Sequence, residues 1–99
     1  MPAFRLSAKS LEDLKLIGLF TLKYWGREQQ KKYLSKLDES FHLLADQPHL
    51  GIARDDIRLG YRVHHVGRHL IFYRQKSTGI EIIRILHDRM DVETRLSSG

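Results

Sequence analysis

The sequence predicts an α+β fold. A short N-terminal strand precedes an antiparallel two-helix hairpin, packed on a three- to four-stranded antiparallel sheet, with a short C-terminal helix at the end. Three observations predict it. Apolar residues recur at helical spacing through residues 11–25 and again through 30–44. After His49-Leu50-Gly51 the pattern changes to runs of β-formers separated by glycine turns. The links between helices and between strands are short, which forces antiparallel neighbours.

Each element can be justified in order. Phe4-Arg5-Leu6 alternates and reads as a strand. Ser7 and Ser10 are both candidate N-caps for the first helix. Leu11, Leu14, Gly18, Thr21, Leu22 and Trp25 form its apolar stripe, flanked by Ile17 and Tyr24, and Gly26 stops it. Gln30, Tyr33, Leu34, Leu37, Phe41 and Leu44 form the stripe of the second helix, which Pro48 ends. Three strands follow, over Gly60–Val66, Arg68–Arg74 and Ile80–Leu86, with turns at Gly67 and Lys76-Ser77-Thr78-Gly79. The last is apolar on both faces and is expected to be central. Asp88 or Asp91 then caps a short helix reaching Leu96.

Bulk properties narrow the function classes. A chain of 99 residues makes one domain, 1–99. It holds no cysteine, which removes disulfides, a thiol nucleophile and cysteine-type zinc sites. The N-terminus MPAFRLSAKS lacks the apolar run of a secretory leader, and no window approaches the ~18–20 apolar residues of a membrane span, so a cytoplasmic location is expected. The net charge of +5 suits an acidic partner. From Lys9 to Asp46 seven Lys/Arg face six Asp/Glu, a net of +1, whereas from Arg54 to Lys76 six face two, a net of +4. The basic excess therefore sits in the C-terminal half.

Individual residues raise sharper questions. Leu16, Leu19 and Phe20 point away from the first helix's stripe, by about 100° of rotation per residue. Either the partner helix buries them, or they await another protein. Arg84 sits among apolar neighbours, sharing a face with Ile80, Ile82 and Leu86. Such an arginine needs a carboxylate, with Asp88, Asp91 or the 55–56 loop as candidates, or it serves a binding surface. Alternation sends Arg84 and His87 to opposite faces, so they make no simple catalytic dyad. Six histidines show no metal-ligand spacing, and neither metal nor cofactor is expected.

Several stretches carry a resemblance: Asp13-Leu14, Trp25-Gly26, "YLSKL" in the second helix, Gly60-Tyr61-Arg62, "GRHLIFYR" over 67–74, "RILH" over 84–87 and Met90-Asp91. As an ordered set, over roughly residues 3–96, they resemble the ParE toxins of bacterial type II toxin–antitoxin modules, in the RelE/ParE superfamily. That resemblance implies a helical hairpin on an antiparallel sheet. It implies a toxin that poisons DNA gyrase without being an enzyme and that has no catalytic residue. It also implies neutralisation by a ParD-type antitoxin whose flexible segment wraps the toxin, with DNA met only through gyrase or the antitoxin. Arg58, Arg62, Arg84, His87 and Arg89 are the expected gyrase contacts. Leu16, Leu19 and Phe20 are the expected antitoxin contacts. The alternative is the superfamily's other branch, ribosome-dependent mRNA endonucleases, with His87 as acid/base and Arg84 on the phosphate. The "DRMDVETRL" ending and the absence of lysine from residues 50–75 favour the gyrase branch.

Overall fold

The structure, a computed structural model, describes residues 3–89 and 92–97. Its sheet contains β1 (Phe4–Leu6), β2 (Ile52–Ala53), β3 (Tyr61–Val66), β4 (His69–Lys76) and β5 (Gly79–His87), in the order β1-β5-β4-β3-β2. The three long strands stand where alternation and turns place them. The sheet nevertheless has five strands rather than three or four, and it is mixed. β1 lies parallel to β5, pairing Phe4 with Ile80 and Leu6 with Ile82. The tight-turn rule fixes only strands joined by short turns, and β1 is separated from β5 by most of the chain. β2 is two residues long, too short to show an alternation.

The helices α1 (Ala8–Trp25) and α2 (Arg27–Asp46) cover one face of the sheet. Ile17, Leu37, Phe41 and Leu44 meet Ile71, Tyr73, Ile80, Ile82 and Ile85 there. On the other face Tyr61, Phe72 and Leu86 pack with Leu96 of α3 (Val92–Ser97). β4 and β5 are covered on both sides, which is why their sequences are apolar on both faces. Each fully buried Leu, Ile or Phe contributes about 1.5–3 kcal/mol. Asp91, one of the two expected caps of α3, lies outside the described residues.

Two details depart from the simple periods. On β4 Phe72 pairs with Arg84 but Tyr73 pairs with Ile82, so Ile83 is an extra residue in β5. This bulge places Ile80 and Ile82 on the hairpin face and Arg84 with Leu86 on the opposite one, so Arg84 does not share a face with Ile80 and Ile82. On α1 the buried residues are Ser10, Ile17, Gly18 and Thr21. Ile17 is therefore central rather than flanking, while Leu11, Leu22 and Trp25 are exposed. Gly18 faces α2: its carbonyl accepts from the Gln30 side-chain amide at 3.0 Å, and a Cβ at Gly18 would make ordinary contact with Leu34 at 3.5 Å. Ser7 is the N-cap, its hydroxyl accepting from the Ser10 N–H at 3.0 Å.

Candidate functional site

α1 meets the sheet in two different ways. Its N-terminal half replaces a missing strand. β1 covers β5 only as far as Ile82, leaving the next backbone groups of β5 without a ladder partner. Ser7 donates its hydroxyl to the Ile83 carbonyl at 2.8 Å, and the Asp13 carboxylate accepts from the Ile85 N–H at 3.0 Å. The same carboxylate takes a two-pronged pair from Arg84, Nε at 2.8 Å and Nη2 at 3.0 Å. Both side chains are largely hidden, 16% exposed for Arg84 and 12% for Asp13. The Asp13 hydrogen bonds hold the Arg84 pKa above its ordinary value, against the opposing effect of burial. The partner of Arg84 is thus Asp13, 71 positions away, rather than Asp88 or the 55–56 loop.

The C-terminal half of α1 lines an open groove of about 860 Å³. Leu16, Phe20, Tyr24 and Trp25 form its apolar side, and Tyr33, Arg68, His69 and His87 form the facing wall. Leu16 is 58% exposed, Phe20 59% and Trp25 69%, so α2 does not cover them. Leu16, Phe20 and Tyr24 stand four residues apart, on one ridge of the helix. Leu19, 62% exposed, lines a second groove of about 570 Å³ with Leu14, Gly18 and Leu34.

The polar wall is a connected network. The Tyr33 hydroxyl lies 2.5 Å from His69 Nδ1 and accepts from the Arg68 N–H at 3.2 Å. Burial, aided by the neighbouring His87, pushes the His69 pKa down from 6.5 to about 4. The ring is therefore neutral near pH 7, and its Nδ1 shares a hydrogen bond with the Tyr33 hydroxyl, which also donates to the Val66 carbonyl at 3.3 Å. Burial also raises the pKa of Tyr33. His87 stands edge-on to His69, ring centres 5.4 Å apart, and its Nδ1 accepts from the Arg89 N–H at 3.1 Å. The Asp88 carboxylate lies 3.4 Å from His65 Nε2 and 3.4 Å from His87 Nδ1. The turn behind this wall needs glycine: Gly67 has φ of 57°, and a Cβ there would fall 2.8 Å from the Tyr33 ring.

The remaining expected contacts are scattered. Arg62 donates to the carbonyls of Gly51 at 2.7 Å and His49 at 3.3 Å, bracing the loop before β2. The Arg58 guanidinium lies 6.0 Å from the centre of the Tyr61 ring. Arg58 and Arg62 thus sit at the Tyr61 end of the strands and His87 and Arg89 at the other, about 17 Å away at ~3.3 Å per residue along β3. Tyr24, Trp25, Tyr33, Arg68 and His69 line the groove but were not singled out by the sequence. The available signal was the surplus of apolar residues around α1, more than one sheet and one helix can bury.

The family model for the ParE toxin of type II toxin–antitoxin systems, parDE, matches residues 4–92. The chain belongs to the ParE toxin family. It is 38% identical over 94 residues to Toxin ParE1 of Mycobacterium tuberculosis, covering 94% of this chain and 96% of that one. It is 34% identical over 96 residues to Toxin ParE1 of Caulobacter vibrioides, covering 97% and 99%. Among solved structures it is similar to a chain of the chromosomal ParDE system from P. aeruginosa, with a TM-score of 0.73 and 22% identity over 88% of this chain and 96% of that one. That likeness bears on the fold, and it matches the strand, hairpin and sheet described above. The protein is a toxin of a type II module, and such a toxin has an antitoxin as partner. No described helix is long and apolar enough to cross a membrane.

Proposed function

We propose that this toxin acts in the cytoplasm by binding and poisoning DNA gyrase, and that a ParD-type antitoxin silences it by occupying the α1 groove. The observation that carries the reading is the uncovered apolar ridge of Leu16, Phe20 and Tyr24 with Trp25 beside it, on a chain whose sheet is otherwise covered on both faces. An apolar groove of this kind suits an amphipathic segment laid along it. Leu19, in the adjoining groove, extends the same surface.

Of the basic residues expected to meet gyrase, Arg58 and Arg89 are exposed and are the stronger candidates. Arg62 and Arg84 contribute by bracing a loop and a strand. Action by binding, rather than by turnover, fits the geometry around His87. Its Nδ1 is engaged by the Arg89 N–H, and Arg84 lies on the other face of the sheet, held by Asp13. That separation of Arg84 from His87 supports binding over RNA cleavage by an Arg–His pair.

A supercoiling assay with purified gyrase tests the reading. Toxin should inhibit supercoiling and leave linear DNA, and prior addition of the cognate antitoxin should restore activity. Unaltered supercoiling and no linear DNA at micromolar toxin would overturn the gyrase assignment.

A further inference from the structure

The groove assigned above to the antitoxin has one cation, Arg68, that no carboxylate pairs with among the described residues. Arg68 stands at the β3–β4 turn, on the groove wall opposite Phe20 and Trp25. Its backbone is fixed from both sides. The N–H donates to the Tyr33 hydroxyl at 3.2 Å, and the carbonyl accepts from the Asp88 N–H at 2.9 Å. A long side chain mounted on so constrained a turn has little backbone freedom to lose on pairing.

Two carboxylates lie near the groove wall. Asp13, the one carboxylate lining the groove, is occupied by Arg84 and by the Ile85 N–H. Asp88 lies between His65 and His87. Among the described residues no carboxylate pairs with the Arg68 guanidinium. Tyr33 and His69 of the wall are neutral near pH 7. Among the described residues that line it, the groove presents an apolar side and a single arginine. Its complement is an amphipathic segment with one acidic residue beside its apolar anchors.

We infer that Arg68 is a specificity-determining contact for the antitoxin, receiving an antitoxin carboxylate at the mouth of the groove. The inference rests on the groove being the antitoxin site, and it adds the charge that selects the partner. A guanidinium takes a carboxylate in a planar fork, so the contact fixes register along the apolar ridge as well as adding attraction. A partner with a basic residue at that place would set two cations together at a partly desolvated rim and be rejected.

The test measures affinity of the full-length toxin for its cognate antitoxin, comparing Arg68→Ala, Arg68→Glu and Phe20→Ser. Arg68 and Phe20 are both exposed, and unchanged thermal melting shows that each variant folds. Arg68→Glu should weaken binding about tenfold or more at low salt, and Arg68→Ala less. The Arg68→Glu deficit should shrink near 1 M salt, where charges are screened beyond about 3 Å. An antitoxin with one acidic residue changed to arginine should bind Arg68→Glu better than wild-type toxin. If Phe20→Ser weakens binding while both Arg68 variants bind like wild type, the Arg68 contact is overturned and the groove assignment stands. If no variant changes affinity, both are overturned.

Discussion

The two halves of α1 are made to different specifications. In the first half every polar group that touches the sheet has a partner: Ser7 on Ile83, Asp13 on Ile85 and on Arg84. That half does the work of the strand that β1 is too short to supply. The second half buries Ile17, Gly18 and Thr21 along one line and shows large apolar side chains to solvent beside it. One helix can thus tie itself to a sheet edge by hydrogen bonds in one half and leave an apolar ridge open in the other. Sequence hydrophobicity does not separate buried from open positions here, since Leu16 and Phe20 are exposed while Ser10 and Thr21 are buried.

Breaking the tied half should have the largest effect. Asp13→Ala leaves a largely hidden guanidinium without its carboxylate and the Ile85 N–H without an acceptor, and should cost about 3–5 kcal/mol. Urea unfolding reads this as a lower midpoint at unchanged slope. An unmoved midpoint would mean that the Asp13–Arg84 junction is not structural, and the contrast would collapse.

Acidification has a smaller, graded effect on the groove wall. The folded His69 pKa, about 4, lies below its ordinary 6.5. Between those values the unfolded chain binds a proton that the folded chain refuses. The stability this ring contributes is therefore complete above about pH 6.5 and declines as pH falls towards 4. His69→Gln should flatten that decline between pH 6.5 and 4.5 without abolishing it, because burial also lowers the pKa of His64. An unchanged slope in the variant would mean that His69 is charged in the folded chain.

The smallest stability change is expected in the untied half. Leu19→Ser with Phe20→Ser should shift stability by about 0.5 kcal/mol or less per site, as exposed substitutions do. The same pair should weaken antitoxin binding. Unfolding instead would identify these residues as core and erase the distinction between the halves.

The sequence revealed these features unevenly, for physical reasons. β3, β4 and β5 were legible within a residue or two at each end because their turns carry Gly67 and Gly79, and both glycines adopt positive φ. The stripe of α1 was legible only in part: its Gly18 and Thr21 are buried, but apolar residues surround that helix, so Leu11, Leu22 and Trp25 are exposed while Ser10 and Ile17 are buried. The bulge at Ile83 reversed part of a face assignment that strict alternation makes. Asp13 was quoted only as half of a dipeptide. The need for a carboxylate near Arg84 was readable, but no local period points across 71 residues.

The parallel pairing of β1 with β5 has a consequence in time. β1 and α1 are synthesised first, yet their place in the sheet is defined by residues 80–85, close to the other end of the chain. Chain order and docking order are therefore opposed: the β3–β5 meander closes through local turns, while the N-terminal strand must wait for a distant edge. The wall of the α1 groove includes Ile85 and His87, so the groove does not exist on a partly translated chain. Its wall is complete only once the end of β5 has docked beside α1.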